Sequence, residues 1–191
     1  YFLKKIIKSN NIDIFGAKLV AKHLVVFIFF FISGISFYLI LKKIVDDDNF
    51  CYLALLLYFL YPYLFGQSLF SPKDVPFMAI WIVCTYLSFN VFENLIESES
   101  VSLKNLFVLG ISTAFLLSIR VTGILILLQY LISLTIYSIS SGTSFKIFLK
   151  TIYSKILIFI LFLFLFIYLF YPLYWLDPQL FVTAIQEMGR F

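Results

Sequence analysis

Long apolar stretches separated by short polar segments run through the whole chain. The apolar stretches lack the strict alternation of barrel strands, and helices are the other structure that can cross a bilayer, so each stretch predicts a helix. About 20 apolar residues are enough to span the hydrocarbon. We therefore predict an all-α fold, a single polytopic transmembrane bundle of about six helices. The predicted spans are approximately 22–41, 50–65, 77–92, 105–119, 121–139 and 153–172.

The apolar stretch 105–139 is divided into two spans at Arg120. It is too long for one span, because a helix rises about 1.5 Å per residue. A charged residue at the centre of a lipid-exposed helix would also cost about 2.5–3.5 kcal/mol, whereas a turn near the surface lets the side chain reach water or phosphate. Arg120 is therefore predicted to lie in a turn.

The composition indicates that lipid is the solvent for most of this chain. It is 63% hydrophobic and 13% charged, whereas soluble domains have about 45–50% apolar and about 25% charged residues. An aromatic content of 21% is typical of lipid-facing helices and interfacial belts. The basic residues lie between apolar runs rather than along one face, which argues against nucleic acid as a partner and leaves membrane lipid.

The lysines predict the orientation in the membrane. Six spans place 42–49, 93–104 and 140–152 on one side, and 66–76, Arg120 and 173–191 on the other. Cytoplasmic loops are rich in lysine and arginine, so the first side is predicted to be cytoplasmic from Lys42, Lys43, Lys104, Lys146 and Lys150. Segment 1–21 carries Lys4, Lys5, Lys8 and Lys18 on the outer side, against this rule. Long translocated segments escape the rule, so we interpret 1–21 as the end of an outer loop.

Three charged residues on the predicted outer side are candidates for binding an anion. Lys73 and Asp74 stand together between two apolar segments, and Arg120 lies in the predicted turn. A guanidinium suits phosphate through bidentate hydrogen bonds. The alternatives are interfacial snorkelling for Lys73, an N-cap of a helix starting at Val75 for Asp74, and pairing with backbone carbonyls or with Asp74 for Arg120.

Other polar groups favour structural interpretations. We interpret Asp46, Asp47 and Asp48 as a solvated turn. His23 is interpreted as an interfacial anchor, and Trp175 as part of an interfacial belt after the last span. Cys51 and Cys84 have no partners at metal-ligand spacing, so no metal site is predicted. One histidine in the sequence also excludes a visible Ser/His/Asp or Cys/His constellation.

Three segments together resemble polyprenyl-phosphate-sugar-dependent glycosyltransferases of the C superfold, the branch of protein O-mannosyltransferases and lipid A aminoarabinose transferases. They are FGQSLFSPKDVPFMA at 65–79, GISTAFLLSIRVTGIL at 110–125 and YPLYWLDPQLFVTAIQEMGRF at 171–191. The PKDVPF loop is the distinctive one. The chain departs from the family at Ser71, where Asn is frequent, and at Gln67, where His is usual; neither change removes a charge.

The resemblance implies an enzyme that transfers a hexosyl or pentosyl group from a polyprenyl-phosphate donor to an unknown acceptor. Lys73 and Arg120 would bind the departing lipid phosphate, and Asp74 would orient the loop or assist a divalent metal where a relative uses one. Tyr63 and Trp175 would orient the loop or contact substrate. The active site would lie on the non-cytoplasmic face of a bacterial inner membrane.

The same resemblance places the acidic catalytic base before Tyr1, so no catalytic residue is visible and the chain is expected to be a fragment, inactive alone. Two other classes stay open. A transporter or flippase for an anionic or lipid-linked substrate would use Lys73 and Arg120 for binding, and a structural membrane subunit would need neither charge.

Overall fold

The structure, a computed structural model, describes residues 14–98, 101–140 and 145–172, together with residues 175, 177, 179 and 183. In these residues all of the regular secondary structure is helical, which confirms the predicted all-α class. The helices are α1 (Ile14–Ile44), α2 (Asp48–Leu60), α3 (Pro62–Phe70), α4 (Asp74–Ser98), α5 (Leu103–Ile119), a 3-10 helix (Val121–Ile124), α6 (Leu125–Ser140) and α7 (Phe145–Phe170).

Helices occupy the positions of all the predicted spans, although they do not all qualify as spans by themselves. Four segments of the described chain are long and apolar enough to cross a membrane: Lys18–Ile44, Asp74–Leu95, Val121–Ile139 and Ile152–Phe170. The bent pair α2 and α3 makes a fifth if it counts as one span. Helix α5 is apolar but has 17 residues, somewhat short of the roughly 20 that cross the hydrocarbon.

The second predicted span is not one continuous helix, and here the prediction was wrong. Helices α2 and α3 meet at a bend of 51°. Tyr61 between them is extended, with φ −62° and ψ 113°, and Pro62 opens α3. Proline has no N–H to donate within a helix, and it disfavours the helical conformation of the preceding residue. The dipeptide Tyr61-Pro62 therefore ends α2 and starts a new helix.

The side chains that face outward are those expected of a protein surrounded by lipid. Ile132, Leu161 and Phe164 are large and apolar, and 50%, 62% and 66% of their surfaces are exposed. The interior, by contrast, contains small polar residues such as Ser33 and Thr113, both fully buried. Exposed apolar surface on this scale indicates an integral membrane protein.

The chain divides into two compact units, residues 1–86 and 87–191, and each is described by itself. In the first unit, α1 packs against α2 and α3. Its core is Val26, Phe30 and Val75, with Tyr58, Phe59, Leu64 and Met78 packed around it. The Ser33 and Tyr58 hydroxyls are 2.6 Å apart, and Gly34 lies directly against the ring of Phe59. A small residue at this position lets α1 and α2 approach closely.

The turn between α1 and α2 is built by two of its three aspartates. The Asp47 carboxylate accepts hydrogen bonds from the backbone N–H groups of Asn49 and Phe50, which makes Asp47 the N-cap of α2. Asp48 forms an ion pair with Lys42, with 2.8 Å between Nζ and Oδ1. All three aspartates are exposed, as predicted for a solvated turn.

In the second unit, α5 packs along α7, and the two helices run parallel to each other. Phe107 contacts Phe162 and Phe166, whereas Phe115, two turns further along α5, contacts Phe170. Close approach is permitted by Gly110, because a Cβ there would lie 2.9 Å from Cβ of Phe162. Gly110 and the buried Ala114 are four residues apart, the spacing of small residues at membrane helix interfaces.

Candidate functional site

The loop carrying Lys73 and Asp74 is held by a hydrogen-bonded cap. Oγ of Ser71 accepts the backbone N–H of Asp74 at 3.3 Å, and the same hydroxyl donates to Oδ2 of Asp74 at 2.7 Å. Pro72 and Lys73 form the turn between them. Ser71 therefore caps the start of α4, and Asp74 is the third residue after the cap. This corrects the predicted N-cap at Asp74: Asp74 is the first residue of α4, and its carboxylate accepts the Ser71 hydroxyl, whereas the Ser71 backbone N–H donates to the Gln67 carbonyl.

We expect Ser71→Ala to weaken the start of α4. Loss of an N-cap costs about 0.5–2 kcal/mol, which lowers the melting temperature by roughly 2–4 °C per kcal/mol in a protein of this size. Thermal unfolding of the purified protein in detergent measures the effect. Ser71→Asn keeps a capping side chain and should melt like the wild type, and a Ser71→Ala protein that does the same would show that the cap contributes nothing.

The cap leaves the Lys73 and Asp74 side chains on the surface of the first unit. Both are exposed. Tyr63 lies in the first turn of α3, with 66% of its surface exposed, and Phe70 at the other end of that helix is 75% exposed. An exposed cation next to a short helix with aromatic residues on its surface is typical of the membrane–water interface.

Lys22 and His23 of α1 lie at the same end of the first unit as Lys73. The His23 ring contacts the ring of Phe70 edge-on, with 6.1 Å between centroids. Lys22 is exposed and lies one turn before Val26, on the face of α1 that packs against Val75. From the sequence, His23 is predicted to be an interfacial anchor. The structure adds that His23 contacts Phe70, three residues before Lys73, with Lys22 next to it in the chain.

In the second unit, Arg120 lies at the break between two helices, as predicted. It is extended, with φ −150° and ψ 135°, and exposed. Its N–H donates to the Leu116 carbonyl at 3.3 Å, and its own carbonyl accepts the N–H of Gly123 at 2.9 Å. A Cβ on Gly123 would lie 3.1–3.2 Å from Leu116, so glycine permits the tight 3-10 turn that follows Arg120.

The segment after α7 is attached to the Arg120 turn through Tyr171. The Tyr171 hydroxyl lies 3.2 Å from the Leu117 carbonyl and 3.1 Å from the Ser118 carbonyl, and both carbonyls belong to the last turn of α5. Trp175 donates from Nε1 to the Tyr168 carbonyl at 2.6 Å and stacks on the Tyr168 ring. The structure thus brings Arg120 and the Tyr171 segment to one end of the second unit.

The candidate residues divide between the two units. Lys73, Asp74 and Tyr63 belong to the first, and Arg120 and Trp175 to the second. Some predictions lie outside the described residues. They concern segment 1–13 with Lys4, Lys5 and Lys8, the side chains of Lys146 and Lys150, and most of 173–191. In the described residues, no group of three or more His, Cys, Asp or Glu side chains is placed to hold a metal ion.

Comparison of the chain with protein-family models, with curated proteins and with solved structures finds no match.

Proposed function

We propose that this integral membrane protein is a glycosyltransferase that takes a sugar from a polyprenyl-phosphate donor at the non-cytoplasmic face. The observation that carries the proposal is the basic end of the first unit, where the His23 ring contacts Phe70, three residues before Lys73, and where Lys22 is also exposed. The nature of the donor and of the reaction comes from the resemblance of the PKDVPF, SIRVTG and YPLYW segments to that family.

A lipid phosphate is the ligand that this basic end suits. The lysines supply positive charge, and the exposed aromatic side chains of α3 offer apolar surface beside it. A polyprenyl phosphate has the same two parts, an anionic head and an apolar chain. The cap at Ser71 holds the backbone of the loop from which the exposed Lys73 side chain extends.

In the proposed reaction, the cationic side chains stabilise the leaving group. When the bond between the sugar and the phosphate breaks, negative charge develops on the phosphate oxygens. Lys73 would stabilise that charge, and the family resemblance implies the same contribution for Arg120. Such stabilisation accelerates the reaction to the extent that it is stronger in the transition state than in the ground state.

Release of polyprenyl phosphate from a synthetic polyprenyl-phosphate sugar tests this function without knowledge of the acceptor. The full-length protein, in membranes from its source, should release it, and Lys73→Ala should slow release about tenfold, equivalent to about 1.4 kcal/mol. Lys43→Ala removes an exposed lysine from the other end of α1 and should leave the rate unchanged. Absence of release from several such donors, or equal rates in the two variants, would refute the proposal.

One observation favours a transporter as the second candidate. The bend of 51° between α2 and α3 interrupts an apolar segment, and transporters often bind their substrates at interrupted helices. A flippase would move a fluorescent polyprenyl-phosphate sugar across a vesicle membrane and leave its sugar–phosphate bond intact. Transport without release would therefore favour this function over sugar transfer.

A further inference from the structure

Two aromatic side chains cap the ends of α5 and α7 in the second unit. The last four carbonyl groups of an α-helix have no partner within the helix, so other groups must satisfy them. In α5, the Leu117 and Ser118 carbonyls lie 3.2 and 3.1 Å from the Tyr171 hydroxyl, which donates to them. In α7, the Tyr168 carbonyl accepts the indole N–H of Trp175 at 2.6 Å. One short segment after α7 therefore caps both helices.

The backbone of this segment brings the two aromatic caps into position. The Tyr171 N–H still donates to the Ile167 carbonyl at 3.2 Å, whereas Pro172 has no N–H with which to continue the helix. The Pro172 carbonyl accepts the backbone N–H of Trp175 at 3.2 Å, which closes a turn. The half-buried Tyr171 side chain reaches α5, and the Trp175 ring folds back onto the end of α7.

The Tyr171 cap acts on the part of α5 that carries the Arg120 turn. Arg120 donates its backbone N–H to the Leu116 carbonyl, and Tyr171 binds the carbonyls of the next two residues. Directly after them the chain leaves the helix, because Arg120 is extended. The backbone from which the Arg120 side chain extends is therefore attached to the end of α7 through one hydroxyl group.

We propose that Tyr171 is a positioning residue for Arg120. Its hydroxyl holds the last turn of α5 and thereby fixes the direction in which the Arg120 side chain leaves the turn. The consequence for catalysis rests on the proposed function, in which Arg120 stabilises the charge on the departing phosphate. A displacement of about 1 Å can cost a factor of about 10² in rate, so a hydroxyl that acts two residues from Arg120 is close enough to matter.

Hydrogen exchange tests the cap without any measurement of activity. Tyr171→Phe removes the hydroxyl and keeps the ring. In the full-length protein in nanodiscs, the backbone amides of 119–124 should then exchange about fivefold faster, the factor that corresponds to one hydrogen bond of ordinary net strength. Tyr153→Phe is the matched control. It removes a hydroxyl from an exposed tyrosine in the first half of α7 and should leave exchange at 119–124 unchanged.

Release of polyprenyl phosphate tests the connection to Arg120. Tyr171→Phe should lower kcat about tenfold with little change in KM, because the cap positions a group that acts in the transition state. In an Arg120→Ala background the same substitution should have no further effect, since Tyr171 acts through Arg120. A general loss of stability would instead lower the rate by the same factor in both backgrounds. Tyr153→Phe should keep the wild-type rate.

Unchanged exchange at 119–124 in Tyr171→Phe would overturn the proposal. Equal losses of rate with and without Arg120 would also overturn it, because Tyr171 would then act independently of that residue. A wild-type protein that releases no polyprenyl phosphate would refute the proposed function instead. In that case the exchange measurement still decides whether Tyr171 fixes the Arg120 turn.

Discussion

Arg120→Ala is expected to reduce the proposed sugar transfer by the full-length protein about 100-fold or more. Removal of one donor to the charge that develops in a transition state typically costs a factor of about 10²–10³. The fall should appear mainly in kcat rather than in KM, because the charge on the leaving phosphate grows as the bond breaks. Arg120 is exposed at a break between helices, so its removal should affect stability little.

Two companion variants make this prediction specific. Arg120→Lys keeps the charge but loses the planar, bidentate guanidinium, so it should recover part of the activity. Lys104→Ala removes a cation from the opposite end of α5 and should keep the wild-type rate. If Arg120→Ala stays within twofold of the wild type, Arg120 does not act on the phosphate, and its role is limited to the turn.

Gly110→Leu is expected to disrupt the packing of α5 on α7. Even a Cβ at this position would lie 2.9 Å from Cβ of Phe162 and 3.6 Å from the backbone of Leu163. The whole leucine side chain would force the two helices apart, because Phe162 and Leu163 both belong to α7. Overpacking costs about 1–3 kcal/mol, and we expect the melting temperature in detergent to fall by roughly 5 °C or more.

Gly66→Leu is the matched control. It is the same substitution in another helix, and a Cβ at Gly66 meets nothing within 4 Å. Leucine also has the higher helix propensity, so the melting temperature of Gly66→Leu should equal or exceed that of the wild type. Equal melting temperatures in the two leucine variants would contradict the close approach of α5 and α7 at Gly110.

The helices were predictable because hydropathy acts locally along the chain. The long apolar runs and the turn at Arg120 appear in the structure where the sequence placed them. Two local signals were present but not used. Pro62 separates α2 from α3, and the Ser-x-x-Asp spacing of Ser71 and Asp74 places a capping hydroxyl before α4. A closer reading of proline and capping patterns would have found both.

Contacts between distant segments were not predictable from one sequence. The contact between His23 and Phe70 depends on how Val26 and Phe30 of α1 pack against Val75. Likewise, Tyr171 reaches the carbonyls of Leu117 and Ser118 because α5 and α7 run side by side. The spacing of Gly110 and Ala114 hinted at a close helix contact, but it did not identify the partner helix.

The second unit also contains an apolar cavity of about 290 Å³ between α4, α5, α6 and α7, which could not be predicted from sequence for a different physical reason. It arises where side chains of four helices leave a gap, and its size depends on their volumes and rotamers together. The stripe at 152, 155, 156, 159 and 163 reads in sequence as an ordinary apolar face with one lysine. Only the packed structure shows that this face borders a space.

The central claim is that the basic end of the first unit binds a lipid phosphate. Titration of polyprenyl phosphate into the full-length protein in nanodiscs, with the uncharged polyprenol as control, tests it most directly. We predict that the phosphate binds at least tenfold more tightly than the alcohol, and that a double variant, Lys22→Ala with Lys73→Ala, loses this preference. Equal affinity for phosphate and alcohol, or a preference that survives in the double variant, would contradict the claim.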